Sequence, residues 1–176
     1  MNGKNKKFPL FFYWLFVSGR RQGGYAQEAS EEETVPDIQQ GTFTPPFYFP
    51  MVFTGNFGEI RSNHFHGGLD FKTGGAIGKP VHALADGHIS RIRVTHGSGY
   101  VLDVDYDNGY STINRHLSAF VGDIARRVKD LQYEQESWEV EITPEPGEYP
   151  VKAGQVIALS GNTGYSFGPH LHPDMI

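Results

Sequence analysis

Residues 100–117, YVLDVDYDNGYSTINRHL, constrain the fold more than any other stretch. Tyr100, Leu102, Val104 and Tyr106 alternate with Val101, Asp103 and Asp105, the period of a strand with one buried face. Asp107-Asn108-Gly109 then turns the chain back, because Asn-Gly accepts the positive φ angles of a tight hairpin. In the return segment, Tyr110, Thr112, Asn114 and His116 share one face, while Ile113 and Leu117 point away. ISRIRV (89–94), WEVEI (138–142) and VIALSG (156–161) are further strands. Gly87, Gly97, Gly99, Gly154, Gly161 and Gly164 punctuate them. Several short strands at close spacing predict an all-β chain, an antiparallel sheet or sandwich. One stretch departs from this. In residues 118–134, Phe120, Ile124, Val128 and Leu131 recur at helical spacing and predict one inserted amphipathic helix. That helix is expected to flank a groove or to meet a protein partner.

The 176 residues suffice for one compact domain. Residues 1–26 read as a signal peptide or an N-terminal anchor: Lys4, Lys6 and Lys7 precede an apolar run at 8–17, and Ala26 offers a small residue for cleavage. The run is short for a bilayer span, which takes roughly 20 residues; membrane anchoring through residues 8–17 is the alternative to cleavage. Either way the chain is expected to be exported, to the periplasm, the cell envelope or the medium. Residues 27–46 are acidic, then Pro-rich, and read as a linker. Residues 47–176 form the expected domain. It is expected to stop short of its full length, because a His-Leu-His triplet lies close to the last residue, Ile176.

There is no cysteine, so disulfides and thiolate-bound metal are excluded. Beyond residue 26 the chain carries 10 basic and 20 acidic residues. It has no basic stripe of the kind nucleic-acid binding requires. Any metal has to be held by His, Asp or Glu, and these cluster. In NHFHGGLDF (63–71), period-two alternation puts His64, His66, Gly68 and Asp70 on one face and Phe65, Leu69 and Phe71 on the other. In GPHLHP, His170 and His172 share a face opposite Leu171. His116 in YSTINRHL is the third such position. Zinc suits this inventory, since it takes neutral imidazole and carboxylate in four-coordinate sites and leaves a place for water in catalytic ones. His82, His88 and His96 have no partner at matching spacing and read as structural or surface residues. SGNTG (160–164) lacks the lysine and spacing of a phosphate loop and reads as a turn that shapes a groove.

Taken together and in order, HGGLD (66–70), GKPVHALADGHI (78–89), RHL (115–117), VKAGQVIALSGNTG (151–164) and GPHLH (168–172) resemble the lysostaphin-type zinc metallopeptidases, the M23 or LytM-like family. The resemblance covers roughly residues 47–172. It implies an all-β, antiparallel fold with a groove, of the duplicated-hybrid-motif kind, and an endopeptidase that cuts stem peptides or cross-links of peptidoglycan. Position by position, it implies that His66, Asp70 and His172 bind one zinc ion per chain, and that His116 and His170 assist the reaction. His64 falls outside the implied ligands and lines the groove. Two features depart from the family pattern. Asn114 stands where an aromatic usually precedes the HL segment. Pro173 and Asp174 stand where an apolar residue and Glu usually follow HLH, which bears on how firmly His172 is held. Some relatives with this fold have lost ligands and regulate other wall hydrolases; a β-module that binds glycan or peptide is another alternative. Retention of all three ligand positions favours the enzyme.

Overall fold

The structure is a computed structural model that describes residues 43–61 and 65–176. The expected signal or anchor segment, most of the expected linker, and His64 lie outside the described residues.

Strand formation follows the alternation seen in the sequence. The described residues form β1 (Phe53–Gly55), β2 (Asp70–Lys72), β3 (Pro80–His82), β4 (Gly87–Thr95), β5 (Gly99–Tyr106), β6 (Ser111–Leu117) and β7 (Ala119–Phe120). After helix α1 (Gly122–Glu134) come β8 (Val140–Ile142), β9 (Pro150–Val151), β10 (Val156–Leu159) and β11 (His170–Met175). The large sheet has the order β1-β2-β11-β6-β5-β4-β8, with β9 also paired to β4. A smaller sheet has the order β3-β10-β7. All pairings are antiparallel, as the sequence predicts. The consequence for function lies in the middle of the large sheet. There β11, from the end of the chain, lies between β2 and β6, so the three histidine-bearing segments become neighbours.

Both sheets feed one hydrophobic core, in which Val81 and Ala158 of the small sheet join Ile92, Leu102 and Leu171 of the large one. Each fully buried Leu or Ile contributes about 1.5–3 kcal/mol. Two bulges reconcile the sequence with this core. In β4, Ile89 pairs with Val104 and Arg91 with Asp103, so Ser90 is extra; this brings Ile89 and Ile92, three residues apart, to the same side. In β6, Leu117 faces Tyr100 and Asn114 faces Leu102, so Arg115 and His116 together oppose Val101.

The helix starts later than the spacing predicts. Phe120 lies in β7, and α1 buries Ile124 and Val128, with Leu131 packed at the edge. Among the described residues, no helix is long and apolar enough to cross a membrane. The last residues of the expected linker are fastened to the domain. Thr44 bonds Ala83 and Leu84 through its side chain, and Pro46 accepts a hydrogen bond from the His82 backbone. Phe47 is buried against Phe49 and Phe71.

The segment 65–70 differs from the expected strand. Phe65 and Leu69 are exposed, and His66 and Asp70 are the buried residues. The cause is the Gly67-Gly68 pair: the backbone leaves strand geometry there, and β2 begins only at Asp70. Gly68 does not open space for a ligand. A Cβ on it would lie 2.5 Å from the Pro173 carbonyl oxygen and 2.7 Å from Asp174 Oδ1. It lets this segment pack against β11, where Leu69 N–H donates to the same Pro173 carbonyl at 3.2 Å. Gly68→Ala is therefore expected to destabilise the domain by about 1–3 kcal/mol, the usual cost of overpacking. Urea denaturation checks this.

Candidate metal centre and flanking histidines

Three donor atoms converge at the β2–β11 junction. His66 Nε2 and His172 Nδ1 are 3.3 Å apart. Asp70 Oδ1 lies 3.2 Å from the first and 2.9 Å from the second. Bonds of about 2.0–2.1 Å to a tetrahedral ion place donors roughly 3.3 Å from one another, so the triangle has the size a zinc ion requires. Asp70 Oδ1 is also a buried acceptor without an aligned donor, although three imidazole nitrogens lie within 3.5 Å of it. A cation between these atoms would give every member of the set a partner, and the residues fit zinc.

The second oxygen of Asp70 is held from behind. Arg61 donates to Oδ2 at 3.1 Å, and Gly55 is required beside it, since a Cβ there would lie 2.3 Å from Oδ2. Burial alone disfavours the charged form of Asp70, but His172, His170 and His66 hold its carboxyl well below the usual carboxylate range.

His116 and His170 lie next to this set, with ring centroids 5.1 Å apart. His116 reaches the site by a route that simple alternation does not describe. Thr112 and Asn114 are buried, and Asn114 donates to the Leu102 carbonyl and to Thr112 Oγ1. Arg115 takes the opposite face. His116 then turns toward His170 and His172, because its φ is 58°, a left-handed conformation that costs a non-glycine residue roughly 1–2 kcal/mol. The SGNTG turn supports it: Thr163 Oγ1 donates to the Leu117 carbonyl at 2.6 Å and accepts from Tyr100 N at 3.0 Å.

All four imidazoles follow one rule. In each, the outward nitrogen can donate to a protein oxygen at 2.8 Å. The acceptors are Asn56 O for His66 Nδ1, Thr163 O for His116 Nδ1, Gly168 O for His170 Nδ1 and Asp174 Oδ1 for His172 Nε2. Fixing the outward N–H sets which nitrogen of a neutral ring faces inward with its lone pair. Burial lowers the His116 pKa further, against the opposing pull of its Thr163 hydrogen bond, so its ring is neutral at pH 7.

Asn56, Arg61, Thr163 and Asp174 serve the site but do not stand out in the sequence. Only Asp174 left a signal there: it lies two residues after His172 and so on the same strand face. His82 has a structural place, with its Nδ1 3.0 Å from the Pro46 carbonyl oxygen and its ring against Tyr48.

The protonation of His172 gives a pH test. Burial lowers its pKa, but the hydrogen bond to Asp174 and the negative charges of Asp174 and Asp70 outweigh this and push it up to about 9 from 6.5. A folded pKa above the unfolded one contributes stability below the unfolded value, and that stability is lost as pH rises through the folded value. Chelator-treated protein is thus expected to lose stability between about pH 6.5 and about 9. Thermal melts across this window check it.

No protein-family model matches the chain. Individual relatives do. Over 111 residues the chain is 32% identical to the peptidoglycan DD-endopeptidase ShyB of Vibrio cholerae, a match covering 63% of this chain and 20% of that protein. The chain spans about a fifth of the length of the curated relatives it matches. Among solved structures, a zinc-containing peptidase from Vibrio cholerae is similar with a TM-score of 0.55 and 27% identity, over 75% of this chain and 35% of that one. The catalytic domain of the prophage-encoded M23 protein EnpA from Enterococcus faecalis shares the fold, with a TM-score of 0.53 and 22% identity over 77% of this chain and 87% of that one. The antiparallel sheet, the order of the histidine-bearing segments and these relatives agree in one respect: the chain is similar to M23-type metallopeptidases and peptidoglycan endopeptidases.

Proposed function

We propose that the domain is a zinc-dependent endopeptidase that hydrolyses peptide bonds in peptidoglycan stem peptides or cross-links. The observation that carries this reading is the triangle of His66 Nε2, Asp70 Oδ1 and His172 Nδ1, with two further tautomer-fixed histidines beside it. One zinc ion per chain would be held by His66, Asp70 and His172. When bound, zinc acts as a Lewis acid toward a carbonyl oxygen and lowers the pKa of its water to roughly 7.

The other steps belong to the chain. His116 and His170 each turn Nε2 toward the centre. Such a pair can accept a proton from the attacking water; the imidazolium so formed donates to the oxyanion and then delivers that same proton to the leaving amine. Exposed Phe57 and Phe65 flank the segment that leads into His66, and exposed Tyr165 and Phe167 precede His170. These apolar surfaces suit the sides of an extended peptide. Retention of all five polar positions separates this reading from a regulator that has lost its ligands. The substrate implies an exported domain acting in the cell envelope or outside the cell. Exposed Tyr133 in α1 and Trp138 shortly after it offer a protein-partner surface.

The test is mass spectrometry of purified peptidoglycan fragments after incubation with the full chain, with and without a chelator. Expected are fragments with new amino termini, one water added per cut, and none after chelation. Undiminished cleavage by a zinc-free preparation would overturn the reading, as would no cleavage by protein carrying one zinc.

A further inference from the structure

We infer that Arg115 is a positioning residue for the metal set: it fixes the carboxylate of Asp174 and, through it, the ring of His172. The inference rests on the zinc reading above and concerns a residue the reading does not use.

His172 can serve the centre only with Nδ1 turned inward. Nothing in an imidazole alone enforces this, because both tautomers and both ring flips are accessible. The restraint is Asp174 Oδ1, 2.8 Å from His172 Nε2. Asp174 has its own freedom, since a carboxylate on a short stem rotates unless both oxygens are engaged. Arg115 engages the second. Its Nε and one terminal nitrogen both lie 2.8 Å from Asp174 Oδ2, and its other terminal nitrogen donates to Ser98 Oγ at 3.3 Å. A chain of contacts thus runs from the β4–β5 turn through Arg115 and Asp174 to His172.

Backbone register places the chain of contacts. Arg115 faces His172 directly across the β6–β11 pair, and Asp174 is one step further along the same face. Alternation along β6 puts Arg115 on that side, opposite Asn114. On the far side of Asp174 the Gly67-Gly68 backbone closes the space, since Cβ atoms on these glycines would lie 3.3 and 2.7 Å from Oδ1. Asp174 is therefore wedged between a glycine pair and a guanidinium. Three donors in a fixed plane are used here, which a lysine ammonium cannot reproduce in the same geometry. Outward partners of metal-binding histidines typically change metal affinity 10- to 100-fold when removed.

The experiment measures zinc affinity by chelator competition, and the visible spectrum of the cobalt-substituted protein, for the full chain and for Arg115→Ala, Arg115→Lys, Asp174→Asn, the Arg115→Ala/Asp174→Asn double variant and His172→Ala. Arg115→Ala is expected to weaken zinc binding about 10- to 100-fold and to alter the cobalt spectrum, with Arg115→Lys recovering part of the loss. Because Arg115 acts through Asp174, the double variant is expected to bind no more weakly than Asp174→Asn alone; a merely structural arginine would add its effect to the other. Parent-like affinity in Arg115→Ala, or additive losses in the double variant, overturns the inference while leaving the zinc site intact. Zinc binding that His172→Ala leaves unchanged would instead remove the underlying reading. Should Arg115→Ala fail to fold, Arg115→Lys in the parent and Asp174→Asn backgrounds supplies the same cycle.

Discussion

Asp70→Asn is expected to strip the zinc from this domain and to lower peptide cleavage about a thousand-fold or more. The ion supplies several kcal/mol of transition-state stabilisation, and each 1.36 kcal/mol is a factor of ten in rate. Asparagine keeps the shape of aspartate, so the packing against Gly55 survives. It cannot keep both roles of the carboxylate. Asp70 Oδ2 accepts from Arg61 while Oδ1 completes the donor triangle, and an amide has one oxygen for two acceptor positions. Turned outward, its oxygen satisfies Arg61 and leaves an NH2 aimed at the metal position. Turned inward, its NH2 meets the guanidinium. Metal analysis of the purified variant and a muropeptide cleavage assay measure the two losses.

A stability signature accompanies them. The carboxyl of Asp70 is depressed below its ordinary 3.8 in the folded chain. A depressed group contributes stability above the unfolded pKa and loses it as pH falls through the folded one. Chelator-treated Asp70→Asn is therefore expected to melt below the chelator-treated parent at pH 7. The gap should narrow below about pH 4, where the carboxyl of the unfolded parent begins to take up a proton while the folded one is still charged. A gap independent of pH would mean that the charge of Asp70 is not what the site uses.

His116→Gly is expected to reduce cleavage about 10²- to 10⁴-fold, the range for a lost general acid or base, with zinc content unchanged. Its effect on stability should be small, which sets it apart from most substitutions of a half-buried strand residue. Glycine adopts a φ of 58° without strain. The relief of roughly 1–2 kcal/mol offsets the hydrogen bond to the Thr163 carbonyl, worth about 0.5–1.5 kcal/mol. A strained backbone at this position is retained because it turns the imidazole toward His170 and His172. Loss of zinc from His116→Gly would place this residue among the ligands instead; full activity would remove it from the reaction.

The sequence by itself determined the architecture and the donor inventory. Alternation in 100–106, the Asn108-Gly109 turn and the absence of cysteine were enough to specify an antiparallel β chain in which any metal has to rest on His, Asp or Glu. The helical spacing of Ile124, Val128 and Leu131 located α1 to within a few residues. These are local properties, set by side-chain period and turn chemistry, and a linear reading reaches them. Tertiary structure decided what the donors do. His66 and His172 are 106 positions apart, and only the insertion of β11 between β2 and β6 brings them within 3.3 Å. Strict alternation put Phe65 and Leu69 in the core and His116 beside Asn114. The Gly67-Gly68 break and the β6 bulge undid both, because backbone hydrogen bonding across a sheet can absorb an extra residue and shift every side chain after it to the other face. The other outward partners of the rings, Asn56, Thr163 and Gly168, depend on how loops close over the sheet, and such contacts leave little trace in one chain's order of residues.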